Sequence, residues 1–213
     1  MNGMLKKDLM LTWKNMKSLL LALVVFLVVS FSQTEVRVLL IGLYLCLLGV
    51  LTPIYAFSYD KLAGWDGYAR ALPVSRWKIV LAKYLLGVVF LAAALVVGVL
   101  IAVGSKAAGV ELDLGESVSF LAGFAAGGLL FLSAQIPVIY RFGPEKARIF
   151  VVVGVFLVTV MLGALLRFGE NIAFLEAVLH PSGLLAAGFA ALLILFSVGS
   201  FFLSLCIYKK RSF

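Results

Sequence analysis

The chain has 213 residues, 64% of them hydrophobic and only 13% charged, with a mean hydropathy of +1.16. Soluble domains carry about 25% charged residues, so a water-soluble fold is excluded and an integral membrane protein is implied. The formal net charge of +8 reads as a topology signal rather than a nucleic-acid footprint, because the basic residues concentrate in alternate gaps between apolar segments.

Residues 5–17 form an amphipathic stretch in which Leu5, Leu9, Trp13, Met16 and Leu20 recur every three to four positions, with lysines elsewhere. A helix of this kind is expected to lie in the inner headgroup layer with Trp13 at the interface and lysines toward anionic lipid. This start is expected to set topology rather than to be a cleaved secretory signal. Six apolar segments follow at 18–32, 38–58, 79–104, 117–139, 149–166 and 182–208. Each approaches or exceeds the about 20 residues a helix needs to cross a bilayer.

The first gap, 33–37, is so short that the flanking spans must form an antiparallel hairpin. The second gap, 59–78, carries a helical piece over 62–72, which Pro73 ends because the residue before a proline avoids the α region. Ser75 can then cap the third span. Residues 105–116 are a polar outer loop, and 140–148 is a compact inner turn in which Pro144 suits a first helical position. Within the fifth gap, 171–179 is too apolar for a plain loop and too short to span, which predicts a re-entrant or half-buried outer helix. The fold class is therefore all-α integral membrane, with residues 1–213 forming a single transmembrane domain.

Counting Lys and Arg by gap fixes the orientation. Lys6, Lys7, Lys14, Lys17, Lys61, Arg70, Arg76, Lys78, Lys83, Arg141, Lys146, Arg148, Lys209, Lys210 and Arg211 fall on one side, and only Arg37, Lys106 and Arg167 on the other. The positive-inside rule then places both termini in the cytoplasm of a multi-pass plasma-membrane protein.

The chemistry of the spans is mild. There is no Gly-Lys pair from which to build a phosphate-binding loop, and one histidine with two distant cysteines gives no structural zinc site, so no catalytic residue, metal or cofactor is expected in this chain. No Asp, Glu, Lys, Arg or His needs to sit deep in any span, which argues against an ion-driven carrier. Gln135, Pro137, Thr52 and Thr159 are candidate substrate-path residues, with an interhelical hydrogen bond as the alternative role for Gln135. Gly123 and Gly127 have the spacing for close helix approach, either within one subunit or at a dimer seam. Cys46 and Cys206 are expected to be free thiols buried as small hydrophobes.

The second gap, running Trp65-Asp66-Gly67-Tyr68-Ala69-Arg70-Ala71-Leu72-Pro73-Val74-Ser75-Arg76-Trp77-Lys78 and on through Lys83-Tyr84, resembles the first cytoplasmic loop of ABC-2-type transporter permeases. The stretch from Pro137 through Arg141-Phe142-Gly143-Pro144-Glu145-Lys146-Ala147-Arg148 is similar to that family's second cytoplasmic loop. The six-span layout and basic start are closest to small permeases of the phenol-soluble-modulin exporter type. The resemblance implies a permease without ATPase motifs of its own, serving two ABC ATP-binding subunits that carry the ATP and Mg, beside a second permease copy or paralogue. The implied cargo is an amphipathic peptide moved from membrane lipid, with no nucleic acid involved. The alternatives are a lipid-linked polymer, a small drug, or a non-transporting scaffold or immunity protein. In this reading Trp65, Tyr68 and Leu72 are apolar knobs of a coupling helix ended by Pro73, with Asp66 and Arg70 as rim charges. Arg141, Phe142, Glu145, Lys146 and Arg148 supply the second ATPase contact.

Overall fold

The computed structural model describes residues 2–15, 24, 37–71, 73–110, 112–168 and 183–210. Among them are seven helices: α1 (Asn2–Asn15), α2 (Arg37–Leu62), α3 (Trp65–Ala71), α4 (Arg76–Ala107), α5 (Leu114–Phe142), α6 (Pro144–Phe168) and α7 (Gly183–Lys210). Among the described residues, three stretches are long and apolar enough to cross a membrane: Arg76–Ala107, Leu114–Phe142 and Ala187–Lys210. The predicted second and fifth segments are helical as α2 and α6. The segments expected at 18–32 and 171–179 lie outside the described residues, apart from Val24.

Helix limits differ from expectation where backbone chemistry overrides hydropathy. α2 continues four residues past 58, so Leu62 belongs to it, and Ala63 and Gly64 form the turn into α3. Gly64 takes φ +63°, a left-handed conformation that glycine adopts without steric cost. The helix expected over 62–72 therefore shortens to seven residues. Ser75 stands at the N-cap of α4 with extended backbone, but its hydroxyl makes no capping bond. α5 begins at Leu114 rather than 117 because Asp113 caps it, its Oδ1 accepting from Gly115 N at 2.8 Å. Pro144 occupies the first position of α6, one residue after Gly143 at φ +85°.

α5 is the central helix, packed by α2, α4, α6 and α7. Glycines permit those approaches. A methyl on Gly87 would overlap Leu132, one on Gly49 would overlap Leu91, and one on Gly42 would overlap Phe124. Gly123 and Gly127, by contrast, have nothing within 4 Å, so they take no part in packing within the described subunit.

The buried side chains gather toward the end of the bundle where α1, α3, the α5–α6 junction and Lys209–Lys210 meet, hereafter the basic end. One cluster joins Ala69, Ile79, Val80, Tyr84, Leu132, Ile136, Tyr140 and Tyr208, and a second joins Val50, Ile54, Ile139, Ala147 and Val151. Tyr140 stacks edge-on to both Phe57 at 4.9 Å and Tyr208 at 5.5 Å, tying α2, α5 and α7 together. Arg76 donates to the Lys209 carbonyl at 3.3 Å, placing a cation at the C-terminal end of α7.

Pro137 lies inside α5 and lacks the N–H that would serve the carbonyl of Ser133, four residues earlier. Ser200 of α7 donates its hydroxyl to that carbonyl instead. Tyr84 shares hydrogen bonds with Ser200 at 2.6 Å and Ser204 at 2.9 Å, and Ser133 shares one with Ser197 at 3.0 Å. A hydroxyl seam thus joins α4, α5 and α7 where an apolar interface would leave a carbonyl unserved.

Candidate functional site

The two stretches singled out by sequence are brought together at the basic end. The last turn of α2, which leads into α3, is tied to the start of α6 by Lys61 Nζ and Glu145 Oε1 at 2.7 Å. Arg148 adds a bond to Ser58 Oγ at 3.3 Å. Outward from this joined surface stand Leu62, 82% exposed, Tyr68, 60% exposed, and Phe142, 52% exposed, with Arg141 against the Phe142 ring at 5.4 Å. Pro73, Glu145, Lys146 and Arg148 are exposed around them. The side chains of Asp66, Arg70, Leu72 and Thr159 lie outside the described residues.

Trp65, expected to protrude, is half-buried and packs on the core cluster that holds Ala69. Lys7 of α1 lies over its ring, 3.6 Å from the centroid. Tyr68, tilted against Trp65 at 5.3 Å, is the aromatic that α3 presents outward.

Behind this surface lies a group of charges. Lys83 Nζ bonds Asp60 Oδ2 at 2.5 Å and Asp8 Oδ2 at 2.8 Å. Lys7 Nζ lies 2.7 Å from Asp60 Oδ1 and 3.0 Å from Asp8 Oδ1. The side chains of Lys83, Asp8 and Asp60 are 5%, 3% and 7% exposed, and that of Lys7 is 24% exposed. Two cations and two anions cancel, so the group satisfies the demand that buried charges be paired.

The sequence model of ABC-2 family transporter proteins matches residues 3–209. The chain belongs to the ABC-2 transporter family. Membership makes it a membrane protein of the permease kind and implies association with ABC ATP-binding subunits. No curated protein matches the chain.

Lys83, counted by sequence among the cations of the basic side, is buried within the protein near the start of α4. It lies in the second turn of α4, inside the segment predicted as the third span, and is 4% exposed. Its ammonium stays there because two carboxylates replace the water it loses. The signal in the sequence was the lone lysine in Ile79-Val80-Leu81-Ala82-Lys83-Tyr84-Leu85-Leu86, together with Asp8 between apolar neighbours. Neither marks its partner, because the pairing spans 75 residues.

Of the residues considered for a path, Gln135 is fully buried and donates Nε2 to the Val50 carbonyl at 3.2 Å, joining α5 to α2 in the turn before Pro53. Thr52 and Pro137 are also buried. The free thiol of Cys206 is exposed on α7 rather than buried, correcting that expectation, and the Cys46 side chain lies outside the described residues. At the outer edge of the site, Glu145 has its pKa lowered from the ordinary 4.5, first by the hydrogen bond from Lys61 and then by the charge of Lys61, with desolvation opposing and the charge of Arg148 adding least.

Proposed function

We propose that this ABC-2 protein is the membrane-spanning permease subunit of an ATP-driven exporter of amphipathic peptides of the phenol-soluble-modulin kind. It spans the plasma membrane six times with both termini in the cytoplasm. It has no ATPase chemistry of its own. Two ATP-binding subunits, carrying ATP and Mg, dock on the basic end, and a second permease copy or a paralogue completes the pathway, with Gly123 and Gly127 on the seam.

One observation carries this reading. Leu62, Tyr68 and Phe142 are exposed on a surface where Lys61 and Glu145 join the two loops into one unit. Apolar and aromatic anchors ringed by charges are what a partner groove engages. An amphipathic cargo reaching the route sideways from the inner leaflet requires no buried charge along the path, and suits the mild polarity around Gln135 and Thr52.

The test is reconstitution with the cognate ATP-binding subunit. The paired substitution Tyr68→Ala with Phe142→Ala is expected to abolish co-purification and peptide export while leaving the permease folded. Retained export overturns the docking surface, ATP-driven movement of a lipid-linked polymer or drug instead of peptide overturns the cargo, and partner binding without any transport favours a scaffold.

A further inference from the structure

α3 has seven residues, too few to persist as an isolated helix. A left-handed glycine joins it to α2, and both Gly64 and Gly67 have open space around them. Something must fix the angle at which it stands. Ala69 is anchored in the core, and at the other end of α3 Trp65 lies beneath the Lys7 ammonium.

Lys7 cannot move alone. Its nitrogen is shared between Asp60 of α2 and Asp8 of α1, and both carboxylates are bound to Lys83 of α4. α1 carries buried polar side chains of its own. Among its described side chains Asp8 and Thr12 are buried, whereas Lys6, Leu9 and Met10 are exposed. Leu9 and Met10 line an open apolar cleft of about 410 Å³ together with Val89, Phe90 and Ala93 of α4. The ion pairs of Lys7 and Asp8 thus tie α1 to both α2 and α4.

We infer that α1 is an electrostatic strut: Lys83 is the keystone that seats it, and Lys7 is the positioning residue that sets the angle of α3 through the Trp65 ring. A displacement of α3 passes from Trp65 to Lys7, then through Asp60 and Asp8 to Lys83, and so reaches α1, α2 and α4 together. That the displacement originates in an ATP-binding subunit rests on the function proposed above. The strut itself does not.

The experiment uses the full chain in lipid nanodiscs with a nitroxide on Tyr68→Cys, in a background of Cys46→Ser and Cys206→Ser. Lys7→Met and Trp65→Leu are each expected to increase label mobility several-fold, Lys7→Arg to restore the ordered spectrum, and the Lys7→Met/Trp65→Leu pair to add nothing to either single change. A label on Phe156→Cys, on the exposed side of α6, is expected to stay unchanged throughout. Trp65→Leu keeps all four charges, so it reports even if Lys7→Met fails to fold. An immobile label in Trp65→Leu, or fully additive effects, overturns the strut. With the ATP-binding subunit added to the unlabelled chain, in which Tyr68 is retained, Lys7→Met is expected to uncouple ATP hydrolysis from export without preventing assembly. If the label loosens but coupling is intact, the strut stands and the proposed route of force falls. If assembly never occurs even with the unaltered chain, the functional reading falls and the label result still decides the strut.

Discussion

The two ends of the bundle are built on different physics. At the basic end four charges, stacked tyrosines and two core clusters fix the positions of α1, α2, α4, α5 and α7. Toward the far end the helices meet through glycine contacts such as Gly42 with Phe124, and much of the remaining surface is open apolar side chain, including Val96, Leu100, Leu192 and Leu195. The difference teaches where a membrane bundle stores its specificity. Lipid is as apolar as leucine, so burying leucine there gains little, and directional polar contacts are left to define one arrangement.

Substitutions sharpen the contrast, and the largest effect is expected at the keystone. Lys83→Met leaves two buried carboxylates facing a single lysine and is expected to lower stability by about 3–5 kcal/mol, read as a lost folded fraction in detergent unfolding. Pairing it with Asp60→Asn restores charge balance and is expected to recover much of that loss. If the single and paired variants are equally unstable, packing rather than charge dominates the basic end.

Steric contact comes next. Gly87→Ala drives a methyl into Leu132 and is expected to cost about 1–3 kcal/mol. Gly127→Ala meets open space and is expected to change monomer stability by less than about 0.5 kcal/mol, while its effect on dimer formation tests the proposed seam. Smaller again is Ser200→Ala, which strips the donor from the Ser133 carbonyl. Its expected cost is about 0.6 kcal/mol, checked by unfolding beside Ser197→Ala.

The smallest effect is at the exposed rim. Because the Glu145 pKa is lowered in the folded chain, its bond to Lys61 contributes fully above the ordinary carboxylate pKa and is lost as pH falls through the lowered value. Lys61→Ala is expected to move the Glu145 midpoint upward, measurable by carboxyl-selective spectroscopic titration.

Much of this architecture was legible in the sequence. Hydropathy located α4, α5 and α7, and Pro144 announced the start of α6. The two loops that meet through Lys61 and Glu145 were recognised as a pair by their resemblance to ABC-2 loops. Other features escaped for physical reasons. The extension of α2 to Leu62 and the left-handed turn at Gly64 depend on backbone geometry, which hydropathy does not encode. Asp113 is one polar residue among several in its loop, and only its bond to Gly115 distinguishes it as a cap. Trp65 was read as protruding because its partner, Lys7, lies far away in the chain and looked like a lipid-facing lysine. Long-range polar pairing leaves no periodic trace, so the buried charges could be located only in three dimensions.

The seating of α1 also orders the events of biogenesis. Asp8 leaves the ribosome well before its cation Lys83, which lies 75 positions later. Until α4 has been made, Asp8 lacks the lysine of that helix, so α1 cannot be fully seated before residue 83 has been synthesised. Nascent chains halted before residue 83 should therefore leave it accessible to protease, and chains released beyond that point should protect it.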